Sequence, residues 1–267
     1  MNMYLHEVKA MRKSAIIWTC ALIALATLYL MIFPSMANNV ADYKKLLEGY
    51  PPQIREILNI NLNYISSVVG FYSMVFSFII LSGAIQAMNI GVSLLSKENR
   101  ERTADFLLVK PVSRSKIVTE KILAALTILV LTNIVFNAVT IIIANSVKTS
   151  SFDVKLFFMI NLSMFFVQLI FLALGLCISV FFKKLKSVLP ISLGVVFGFY
   201  MIGALVVAGS NSDVARYISP FEYFNLNYII KNGSYEVSYL IASVIIILIA
   251  LVASYIIYIK KDIHSVS

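Results

Sequence analysis

Charge is what this sequence has least of. Only 13% of its 267 residues are Asp, Glu, Lys or Arg, whereas soluble domains carry about a quarter, so a soluble globular fold is excluded. Histidine occurs twice, at His6 and His264, both near the chain ends. No His-Glu-x-x-His zinc pattern is present, and a Ser/His pair deep in a bilayer cannot be assembled, which argues against metal hydrolysis and intramembrane proteolysis. The two cysteines, Cys20 and Cys177, fall inside apolar runs. There they behave as small apolar residues, and no disulfide or metal framework is implied. A Gly-x-x-x-x-Gly-Lys-Ser/Thr phosphate loop is also missing, so the chain does not bind and hydrolyse ATP by that route.

What is abundant is apolar. Hydrophobic residues make up 60% of the sequence, and the mean hydropathy is +0.89. Charge-free runs lie between Lys13 and Asp42, Glu56 and Lys97, Lys121 and Lys148, Lys155 and Lys183, Lys186 and Asp213, and Glu236 and Lys260. Each exceeds the about 20 residues that cross a bilayer as helix. The sequence therefore predicts an all-α integral membrane protein with six transmembrane helices, near residues 14–34, 64–92, 117–145, 156–182, 188–209 and 237–259, forming a single domain over 1–267. The first run continues to Pro34 without a small-residue cleavage pattern, so it is expected to be kept rather than removed as a signal peptide.

An even number of spans puts both termini on one side, and cytoplasmic loops retain Lys and Arg. Placing the termini in the cytosol puts 15 of the 22 basic residues there and leaves 7 outside, including Lys44, Arg55, Lys148 and Arg216. The net charge of +9 is spread along that one membrane face rather than clustered on a basic domain. Anionic lipid headgroups are thus the expected partner, with no role for nucleic acid. The expected location is the plasma membrane. Residues 1–13 carry Tyr4, Val8 and Met11 at helical spacing opposite His6, Lys9, Arg12 and Lys13, the pattern of an N-terminal interfacial helix or of a basic flank to the first span. Outside, residues 40–61 contain two short amphipathic pieces separated by Pro51-Pro52, which interrupt a continuous helix. The outer loop 210–236 contains Ser219-Pro220-Phe221-Glu222-Tyr223-Phe224 and the turn dipeptide Asn232-Gly233.

No proton or ion relay is visible in the span interiors, where an ionisable residue would flag function. What remains there is uncharged polarity: Gln86, Asn89, Asn133, Asn137, Asn161 and Gln168. These groups bond helices together or, for Gln86, Asn89, Asn133, Asn137 and Gln168, line a substrate path. Gly83, Ala87 and Gly91 recur every four residues, as do Gly194 and Gly198. Both stripes predict close helix packing, within the chain or between subunits.

The densest charged patch lies in the cytoplasmic loop 93–116, between the second and third spans. Thr103 is suited to N-cap a short helix, Asp105 complements its dipole, and Pro111 ends it. Ala104, Leu107 and Leu108 share one side, with Phe106 flanking, so the segment reads as an amphipathic docking surface. Ser113 is placed to cap the next span, whose Arg114, Lys116 and Lys121 are expected to anchor at the inner headgroups.

Glu98, Glu101, Thr103, Asp105, Phe106, Leu107, Leu108, Pro111, Ser113, Arg114 and the downstream Lys121 together resemble the loop between helices two and three in permease subunits of type-2 ABC exporters. Arg102 departs from the pattern, since many members have Gly before the Thr. The Ser219-Pro220-Phe221 stretch is also similar, and the six-span plan covers the whole chain. The resemblance implies a half-transporter: the chain pairs with a second copy of itself or a related permease, and two cytosolic ABC ATPase subunits dock beneath. The loop helix would be the coupling helix, with Phe106, Leu107 and Leu108 as apolar docking residues and Glu98, Glu101 and Arg114 positioning the contact. No cofactor is implied in this chain, ATP and Mg belonging to the partner ATPase. The competing expectations are a non-transporting scaffold that recruits a soluble partner through 97–114, and a secondary carrier, disfavoured by the lack of intramembrane charge.

Overall fold

The computed structural model describes residues 3–101, 113–181, 187–209 and 213–260. Within them the chain is helical and no strand occurs. Six helices are long and apolar enough to cross a membrane: α1 (Met3–Asn38), α4 (Val68–Glu101), α5 (Arg114–Val147), α6 (Val154–Phe181), α7 (Leu189–Gly209) and α10 (Val237–Lys260). Short helices α2 (Val40–Glu48), α3 (Pro52–Ile57), α8 (Asp213–Arg216) and α9 (Leu226–Asn232), with a 3-10 turn at Pro220–Glu222, cover the outer end.

α1, α4 and α5 are longer than hydropathy alone makes them, whereas α6, α7 and α10 lie close to where it places them. At 1.5 Å per residue α1 is about 54 Å long, well over the about 30 Å hydrocarbon thickness. The segment expected as an interfacial helix is continuous with the first span: residues 3–13 are the opening turns of α1. Nor does Pro34 end it, for the helix continues to Asn38. At the other boundary α4 begins later than expected. Ser67 caps it, its Oγ accepting the Gly70 N–H at 3.0 Å, and Gly70 leaves room for the Tyr64 backbone, which a Cβ would overlap. Ser113 caps α5 as the sequence predicts, accepting the Lys116 N–H at 3.4 Å. The Pro51-Pro52 break separates α2 from α3, and Gly233, at φ 63°, closes α9 in the left-handed conformation that suits glycine.

α4 is the most enclosed span, and α7 and α10 are the least. Its main partner is α6, the most extensive pairing of elements described. Glycine sets how closely they approach. A Cβ on Gly175 would lie 2.8 Å from the Met88 carbonyl oxygen and 3.0 Å from the Cα of Gly91, so the two backbones touch where these glycines meet. Ala87 is fully buried and Gly83 faces Met164 of α6. The Gly83/Ala87/Gly91 stripe therefore packs within the chain. Gly194 and Gly198 differ, with nothing among the described residues within 4 Å of where their Cβ atoms would be. Around the rim, Ile16, Leu28 and Met31 of α1, Met201 and Leu205 of α7, and Ile249 of α10 are exposed, an apolar surface suited to lipid or to a second membrane chain.

Candidate functional site

At the inner end, α1 is clamped to α5. The Tyr4 N–H donates to Glu120 Oε2 at 3.0 Å, its hydroxyl lies 2.9 Å from the Thr127 hydroxyl, and Lys121 Nζ donates to Glu7 Oε1 at 2.9 Å. Lys121 is completely buried. This corrects the expectation that Lys121 anchors at the headgroups: its stem is enclosed by the bundle, and Glu7, the one acid amid the basic flank, neutralises it there. Arg114, expected to position a docking contact, donates from Nη1 to the Ile259 carbonyl at 3.3 Å, where the final carbonyls of α10 lack helical partners. Glu98 and Glu101 belong to the last turns of α4. Thr103, Asp105, Phe106, Leu107, Leu108 and Pro111 lie outside the described residues.

Midway through the bundle, uncharged side chains join four helices. Thr19 Oγ1 of α1 donates to Thr132 Oγ1 of α5 at 3.1 Å, and Gln86 Nε2 of α4 donates to the same oxygen at 3.4 Å. Gln168 Nε2 of α6 donates to Gln86 Oε1 at 3.2 Å, while Asn133 Nδ2 donates to Gln168 Oε1 at 2.6 Å. Further out, Tyr72 donates to Asn161 Oδ1 at 2.8 Å and Asn161 Nδ2 to Thr140 Oγ1 at 3.0 Å. Between these groups, Asn137 Nδ2 donates to the Asn133 carbonyl at 3.0 Å. The Oδ1 atoms of Asn133 and Asn137 are buried without a hydrogen-bond partner among the described residues. Gln86, Asn133 and Gln168 are thus brought together as interhelical contacts, while Asn137 bonds within α5. Asn89 instead joins Gln86, Glu7 and Trp18 around a cavity of ≈ 170 Å³ between α1, α4 and α5, beside the N-terminal turns of α1.

The outer cap holds a second cavity, of ≈ 230 Å³, between α3, α4, α7 and the Pro220–Glu222 turn. Arg216 crosses its edge. The guanidinium donates to Glu236 at 2.7 and 3.3 Å and to the Glu222 carbonyl at 3.0 Å, and sits 4.3 Å from the centre of the Tyr239 ring. The Glu222 carboxyl is pushed up to about 7 by burial, partly offset by Arg216 and reinforced by Glu56. Sequence reasoning marked Ser219-Pro220-Phe221 by resemblance but gave Glu222 no role. Its only signal was an acid placed among aromatics.

The family model described as ABC-2 family transporter protein matches residues 1–263. The chain belongs to that family. It is accordingly a transmembrane permease component of an ABC transporter and a multi-pass membrane protein, rather than the ATPase. No curated protein matches it.

Proposed function

We propose that the chain is one half of the membrane path of an ATP-driven exporter in the plasma membrane, paired with a second permease above two cytosolic ATPase subunits. The observation that carries this reading is the family match over 1–263 on a chain whose six spans supply no phosphate loop of their own. The energy then comes from a separate subunit that binds ATP and Mg. The segment 102–112 follows directly from the inner end of α4 and holds the apolar residues Phe106, Leu107 and Leu108 that dock the ATPase. Movement of that loop biases the bundle between inward-facing and outward-facing states, through contacts that differ between them. The open glycine face of α7, at Gly194 and Gly198, is the pairing surface favoured by its lack of neighbours among the described residues. Gln86 and Asn89, at the inner cavity, supply its polar contacts to cargo entering from the cytosolic side.

The test is co-expression with a candidate cytosolic ABC ATPase, followed by purification of the complex. Charged replacements at Phe106 and Leu107 together should abolish ATPase capture while leaving membrane insertion intact. Unimpaired capture by that double variant would sink the docking role. Capture without any nucleotide-dependent transport would favour a scaffold.

A further inference from the structure

The outer cavity has a chemistry that the family assignment does not account for. Glu222 lies mostly buried on its wall, and no hydrogen bond among the described residues reaches its carboxylate. Gly203 of α7 gives it room there: a Cβ at that position would stand 3.0 Å from Glu222 Oε1 and 2.9 Å from Ser219 Oγ, and those side chains would have to shift. Glu56 of α3, exposed at the rim, adds a second acid. Arg216 does not cancel both, because its two terminal nitrogens are engaged by the Glu236 carboxylate. Tyr200 and Phe221 line the same cavity, packed edge to face with ring centres 5.4 Å apart.

A carboxylate that is partly withdrawn from water and has no donor within the fold is met well by an occupant that brings both N–H groups and positive charge. Aromatic faces add to the attraction for such a cation. A metal ion fits less well, since the described residues contain no group of three His, Cys, Asp or Glu able to hold one. Size narrows the choice. At ≈ 230 Å³ the cavity falls below the about 300–1,000 Å³ of pockets that enclose whole drug-sized ligands, so it takes a headgroup and leaves the rest of the molecule outside.

We propose that the outer cavity is a recognition site for a compact ammonium group on an apolar body, with Glu222 as its counter-ion. Its service as a release site for exported cationic amphiphiles rests on the exporter reading; the binding itself does not. Recognition is proton-linked. The groups facing Glu222 are Arg216, Glu56 of α3 and the Tyr200 hydroxyl of α7, while α4 contributes Ser77 and Ile80, neither ionisable in this range. The ammonium requires the ionised carboxylate, so affinity falls as pH drops through about 7, and a bound ammonium reciprocally holds Glu222 ionised.

The experiment treats the detergent-purified full chain with dicyclohexylcarbodiimide, which modifies protonated carboxyls in apolar surroundings, and maps labelled peptides by mass spectrometry near neutral pH. Glu222 should label, and butylammonium should suppress that labelling at least several-fold, whereas butanol and butanoate should not. Saturation-transfer NMR should show butylammonium binding to the wild type and at least about tenfold weaker binding to Glu222→Gln. Gly203→Ala, which displaces the carboxylate without removing it, should weaken binding as well and stands in if Glu222→Gln fails to fold. Equal protection by butanol, or undiminished butylammonium binding by a monodisperse variant, would overturn the site. ATPase capture is scored on the same preparations. Capture with no ammonium protection discards the site alone; protection without capture discards the exporter reading and leaves the site standing.

Discussion

Glu7 and Lys121 form an ion pair across 114 residues of sequence, Nζ to Oε1 at 2.9 Å, with the lysine fully enclosed and the glutamate side chain 10% exposed. It fixes the inner end of α1 against α5. An ion pair in such a place owes its value to being complete, because either partner alone is a charge stranded away from water.

Lys121→Met should therefore destabilise the chain by about 3–5 kcal/mol. The double variant Glu7→Leu/Lys121→Met should recover most of that loss. Thermal unfolding of the four proteins of the cycle, followed by fluorescence-detected gel filtration in detergent, checks the coupling. Independent effects at the two positions would contradict the pairing.

The two glycine stripes should respond oppositely. Gly91→Ala and Gly175→Ala force a methyl into backbone already in contact, and overpacking of this kind costs about 1–3 kcal/mol. Gly194→Ala and Gly198→Ala meet no atom of the described residues within 4 Å and should leave the monomer's melting temperature unchanged. Any effect of the latter pair should show only in the dimer fraction, read by cross-linking in membranes.

Glu222 makes stability pH-dependent in a defined direction. Its carboxyl is raised from 4.5 to about 7 in the fold, so the folded state binds more protons than the unfolded state between those values. Its contribution is complete below the unfolded value and is lost as pH rises, reaching about 3 kcal/mol above the folded one. Glu222→Gln should remove that slope. Melting curves across the acidic to mildly alkaline range should converge for variant and wild type at low pH, with the variant more stable at high pH.

The spans were legible because a charge-free apolar run of sufficient length has few other ways to satisfy its backbone in lipid. Their ends were less so. Residues 3–13 look amphipathic by pattern, yet they extend α1 because Tyr4, Glu7 and the residues facing them on α5 bond across helices, a relationship that no local periodicity contains. Lys121 looked like an anchor for the same reason: its partner is remote in sequence. The polar residues Gln86, Asn133 and Gln168 were visible as a set, and the structure supplies the bonds that join them. The outer cavity stayed hidden because its walls come from α3, α4, α7 and the Ser219–Glu222 turn, and its fit depends on Gly203, a residue whose importance is the absence of a side chain.

The contact between Gly91 and Gly175 has a mechanical meaning. Helices whose backbones interlock do not slide past one another, so α4 and α6 transmit displacement as a single stiff body. Ser77 of α4 lines the outer cavity and Glu101 ends the same helix at the cytosolic loop, about 36 Å away along its axis. The wall of the outer cavity and the start of the loop 102–112 are therefore joined by one continuous helix, packed glycine to glycine against α6.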